Sequence, residues 1–209
     1  VGPWAYKSLR TPTLIGSERV PRPIGPTRGA GLSHRPRGWF HGRMAIEHDF
    51  FGLLESGPDG SIFWSENVEL GDQSVTVDLT APDQDDVSQA ALDIAASLVS
   101  SLEAIDRTAR NGMVSELDDR TSEVTEYILQ QQETLGEDID NLLVDISGDI
   151  RIDVIRSLQL MSMTILADEH GGSDPFAVLE YALDPDATDD VLLVNLDSSG
   201  AVLSVTSAD

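Results

Sequence analysis

Between Ser74 and Thr80 the chain alternates strictly, with Val75, Val77 and Leu79 on one side of an extended strand and Thr76 and Asp78 on the other. That period of two predicts an antiparallel strand with one face buried. The segment before it reads the same way. "AIEHDFFGLLES" is a mixed apolar run closed by "GPDG", and "SIFWSENVEL" follows before the turn "GDQ". After Thr80 the period changes. Val87, Ala91, Ile94, Leu98, Leu102, Ile105 and Ala109 recur at spacings of three and four, which predicts one long helix, opened by Asp83, Asp85 and Asp86 and stopped at Asn111–Gly112. A second helix is predicted around residues 114–134, with Leu117, Val124 and Ile128 inward and Gly136 at its end. A short third helical segment falls in "EDIDNLLVDIS".

The final part returns to alternation. Met161, Met163 and Ile165 oppose Ser162 and Thr164, and Leu179, Tyr181 and Leu183 oppose Glu180. Val191–Leu196 and Ala201–Thr206 form a hairpin in which Gly200 takes the positive-φ place in the loop. Strands, then helices, then strands predict an α+β fold, a mainly antiparallel sheet with two to three helices on one face.

Charge adds a boundary to this picture. The chain has 209 residues and a net charge of −24, divided into +7 over residues 1–43 and −31 over the remainder. Residues 1–43 hold Lys7 and seven arginines against Glu18 alone, are rich in Pro and Gly, and show no apolar period. They are expected to be a disordered basic tail that adds nothing to the folded unit, which opens at Met44. Translated upstream sequence, a basic arm for an anionic surface, and a mask lying on the acidic body are three readings of it. Residues 44–209 are expected to be a single acidic domain.

With the elements placed, "IEHDFFGLL", the nearby Trp64 and the closing "DDVLLVNLDSSGAVLSVTS" resemble domain-of-unknown-function family two thousand and four, over roughly residues 45–208. His48, Phe50, Phe51 and Gly52 stand at the positions of that family's "HPFFG"-like segment, with Asp49 in place of Pro. The resemblance implies no activity, cofactor or catalytic residue.

Composition closes several chemistries. Without Cys there is no thiol nucleophile and no thiolate metal site. Without lysine beyond residue 43 there is no Schiff base and no phosphate loop of the Walker type. No motif implies a cofactor. His48 is a candidate general base, metal ligand or interaction residue, and a hydrogen-bonded structural role is the commoner fate of a histidine in an apolar-flanked strand. His170, between Asp168–Glu169 and Gly171–Gly172, reads as an exposed turn. Asp184, Asp186, Asp189 and Asp190 crowd one turn and are candidate ligands for a divalent ion, without the spacing of a calcium loop. Phe51 and Trp64 are candidate interaction residues, although aromatics in strands pack inward by default. The excess of acid is either a signature of the genome or of a salt-adapted cell, or a surface for a basic partner.

The function these features favour is a non-catalytic soluble interaction domain in the cytoplasm, with a basic protein as the expected partner. The body's charge argues against nucleic acid, and no apolar run is long enough to span a membrane. An immunity-type inhibitor of a basic toxin or nucleic-acid-binding protein, and a divalent-metal-dependent hydrolase, are the alternatives. The pattern leaves oligomeric state open.

Overall fold

A computed structural model describes residues 45–168 and 175–208, which lie in the compact unit His41–Asp209. The expectations for the basic tail and for His170 concern residues outside these.

Two short strands, β1 (Ala45–His48) and β2 (Gly52–Glu55), pair as a hairpin of their own. β3 (Ile62–Leu70) and β4 (Gln73–Ala81) form a longer one. Four helices follow: α1 (Gln89–Ser100), α2 (Leu102–Glu116), α3 (Glu123–Leu135) and α4 (Ile150–Ser157). The chain then closes with β5 (Gln159–Leu166), β6 (Ala177–Ala182), β7 (Val191–Leu196) and β8 (Val202–Ala208). Strands β3 to β8 make one six-stranded sheet in sequence order. Every neighbouring pair is antiparallel except β4–β5, which is parallel and joined by the helices. The fold is α+β, as the alternation of patterns predicts.

The strand pattern translates directly into layers. Val75, Val77, Leu79 and Ala81 of β4 face inward with Met163, Ile165, Leu179, Tyr181, Leu192 and Val194. These side chains and the apolar stripes of the helices form one core cluster. The opposite face carries a polar ladder: Thr76 donates to Asn67, Ser162 to Glu180 and Asn195 to Ser204 across adjacent strands. A bulge between Leu160 and Ser162 turns Leu160 inward and leaves Met161 only partly covered, so the predicted Met161–Met163–Ile165 row is broken at its first member.

The helices depart from the expected pattern for identifiable reasons. The long predicted helix divides at Ser101 (φ −109°, ψ 19°), yet the buried stripe continues across the break through Leu98, Leu102, Ile105 and Ala109. Leu92, Ala95 and Val99 face the core, and Ile94 faces outward. Asp83 caps a separate 3-10 turn at Gln84–Asp86, and Ser88 is the N-cap of α1, its hydroxyl accepting from the Ala91 N–H at 3.1 Å. Gly112 does not stop α2, which runs on to Glu116. Its role is close approach: a Cβ there would stand 3.0 Å from Cγ2 of Val202 in β8. Gly136 does end α3, at φ 55°. The third segment is a 3-10 turn, Gly136–Asn141, rather than an α-helix, and α4 was not predicted. Among the described residues no helix is long and apolar enough to cross a membrane.

Candidate functional site

A groove of about 490 Å³ lies between α2 and α4. Glu103, Arg107, Arg110 and Val114 lie along one side of α2 at helical spacing, next to the buried stripe of Leu102, Ile105, Ala109 and Met113. Across from them Ile152, Ile155 and Arg156 come from one side of α4. Beyond residue 43 the chain holds five arginines and no lysine. Three of the five, Arg107, Arg110 and Arg156, line this groove, with only Glu103 and Asp106 as acids.

The three arginines are not equivalent. Arg110 is locked. Its Nε donates to both carboxylate oxygens of Asp106 at 3.0 Å, Nη1 donates to the Ile155 carbonyl at 2.7 Å and Nη2 to the Leu158 carbonyl at 2.9 Å. Its guanidinium carbon lies 5.2 Å from the centre of the Tyr181 ring, and the Tyr181 hydroxyl donates to Asp106 at 2.9 Å. One charged group thereby ties α2 to the C-terminal end of α4 and to β6, where a cation also suits the helix dipole. Burial, and then the Asp106 charge, push the Tyr181 phenol far up, partly offset by Arg110. Arg107 pairs with Glu103 at 3.2 Å and Arg156 with Asp145 at 2.9 Å, and both arginines are exposed.

His48 ends β1, beside the turn of the β1–β2 hairpin. Its Nδ1 accepts from the backbone N–H groups of Phe50 (3.1 Å) and Phe51 (3.4 Å), which places the ring proton on Nε2, 3.2 Å from Asp93 Oδ1. Nδ1 is therefore occupied in holding the turn. That turn carries Phe51 inward, 5% exposed, edge-on to Trp64 with ring centres 4.8 Å apart. Phe51 is thus a core residue, in keeping with the inward default for strand aromatics, and Trp64 is partly covered. The exposed ring is the neighbouring Phe50, with Leu53 (61% exposed) in β2 and Phe63 (65% exposed) in β3.

The four aspartates of the turn at 184–190 take separate tasks. Asp184 accepts from the Asp186 N–H at 3.2 Å. Asp190 accepts from the side-chain amides of Gln130 (2.9 Å) and Gln131 (3.1 Å) of α3, while Asp186 and Asp189 are exposed. Among the described residues no group of three or more His, Asp or Glu is arranged to hold a metal ion. Beside this turn the Tyr127 hydroxyl accepts from the Leu183 N–H at 3.0 Å, and burial with the nearby Asp190 charge pushes its phenol up to about 12.

The groove escaped the sequence reading because α4 did. The only signal for it was the arginine count, with two of the five at a helical spacing of three. No protein-family model matches the chain, and comparison with characterised proteins and with solved structures finds no match.

Proposed function

We propose that residues 45–208 act as a non-catalytic interaction domain that binds a basic protein segment along the edge of β3. The observation that carries this reading is the edge itself. β3 is nine residues long; an isolated bridge from Ser56 covers its first residue, Ile62, and beyond that, among the described residues, it has a strand neighbour on one side only. Its unpaired backbone groups are a template for an added strand. Glu66 and Glu69 are its only charged side chains, and Phe63 stands exposed on it. A second copy of so acidic a body would be repelled at this edge, whereas an extended segment alternating basic and apolar residues meets complementary charge. An immunity-type inhibitor covering a basic toxin is the narrower form of the same reading.

The test is a titration of the full chain with a synthetic peptide alternating Lys and Val, followed through backbone amide shifts. Saturable changes concentrated in β3, weakened by salt and by Glu66→Lys with Glu69→Lys, are expected. Changes scattered over the acidic surface, with β3 unmoved, would refute the proposal.

A further inference from the structure

We propose that the groove between α2 and α4 is a binding site for a small organic anion that carries an apolar group, its oxyanion held between Arg107 and Arg156. The inference is independent of the β3 edge. It starts from where the cations are. The body has a net charge of −31, yet three of its five arginines line this groove and the acids paired with them, Glu103, Asp106 and Asp145, only balance them, so the place is locally neutral in an acidic body. Beyond a Debye length of about 8 Å at physiological salt the distant carboxylates are screened, so the groove's own side chains dominate the field inside it.

The state of each arginine then assigns roles. Arg110 has its donors committed to Asp106 and to two carbonyls, and forms a fixed polar wall. Arg107 and Arg156 are held only by Glu103 and Asp145, in pairs whose side chains are exposed on both sides: 69% and 77% for Arg107–Glu103, 51% and 59% for Arg156–Asp145. Exposed pairs of this kind contribute little to stability, and a released carboxylate remains solvated. Both guanidiniums are therefore free to exchange their partner for a ligand oxyanion, which they can meet with paired N–H donors. Val114 and the partly covered Ile152 supply apolar surface to the lining, and Asn111 adds an amide. A cavity of about 490 Å³ falls within the usual range for small-molecule sites, which combine an apolar lining with a few placed polar groups.

The experiment titrates the full chain with 2-naphthoate, 2-naphthyl phosphate and neutral 2-naphthamide, reading methyl resonances of Val114, Ile152 and Ile155 and the arginine Nε–H signals. Carboxylate and phosphate distinguish the two oxyanion sources. Saturable shifts of these groove signals are expected with at least one of the two anions, and binding of the amide should be at least about ten-fold weaker. Arg107→Gln with Arg156→Gln should abolish that preference. Glu103→Gln with Asp145→Asn should instead tighten anion binding, a direction that structural damage would not produce. The proposal is overturned if the amide binds as well as the anions, if the groove methyls stay unmoved, if the arginine variant keeps its affinity, or if the acid-neutralised variant shows no gain.

Discussion

Replacing Arg110 with methionine isolates the link between α2, α4 and β6, because methionine keeps much of the stem volume and removes every polar contact. The side chain is 20% exposed and its partner Asp106 18%, so the pair is mostly withdrawn from water without being fully buried. Loss of the paired geometry at 3.0 Å, after discounting for the solvent that remains, costs about 1 kcal/mol. The carbonyls of Ile155 and Leu158 lose a charged donor, and water replaces part of it, for about 1 kcal/mol together. Asp106 is left partly covered with the Tyr181 hydroxyl as its donor, which adds about 1 kcal/mol. Arg110→Met should therefore destabilise the protein by about 3 kcal/mol. For a unit of this size that is a fall in melting temperature of about 6–12 °C. Urea unfolding followed by far-ultraviolet circular dichroism measures it. The double-mutant cycle with Asp106→Asn should show a coupling of about 1–2 kcal/mol. A loss under about 1 kcal/mol, with coupling near zero, would mean that α2 and α4 are held by apolar contact alone.

Alkaline pH supplies a second expectation, since burial raises both Tyr127, to about 12, and Tyr181. With folded values above an unfolded value near 10, their contribution is intact below about pH 10 and is lost as pH rises above it, by roughly 1.4 kcal/mol per pH unit for each tyrosine. Stability measured at pH 9 to 11.5 should fall on that slope, and the phenolates of Tyr127 and Tyr181 should appear only with unfolding; their early ionisation would contradict the burial. Gly200→Ala forces a Cβ against Cδ1 of Ile105 at a φ of +81°, and should cost about 2–4 kcal/mol in thermal or urea unfolding. A near-neutral outcome would mean that the β7–β8 loop does not press on the helices.

The strands were legible because burial on one face imposes a period of two on the residues themselves, as in Val75–Val77–Leu79 and Leu179–Tyr181–Leu183. The helices were less so. Ser101 divides the helix within an apolar stripe that runs on through Leu98, Leu102 and Ile105, so only the backbone reveals the break. In α4, "IRIDVIRS" alternates apolar and charged residues with β-branched side chains, which reads as neither a good helix nor a bounded strand. Asp149, whose side chain accepts from the Arg151 N–H and so caps the helix, was its one local sign. Gly112 was visible as a glycine, but its contact with Val202 is tertiary and leaves no local mark. The same holds for the groove, whose two walls are separated along the chain by α3 and the segment after it.

The single parallel pairing also has a kinetic meaning. From β5 to β8 the sheet is a meander, which forms by closing short loops in succession, whereas uniting β4 with β5 requires the intervening helices to be in place between Ala81 and Gln159. The β3–β4 ribbon should consequently be the last piece zipped on and the first released, so its amides should exchange with deuterium sooner than those of β6 and β7. Uniform protection across the sheet would contradict this. A visiting strand clasped to β3 would then act as a latch on that ribbon, and occupancy would register as slowed opening at the β4–β5 seam.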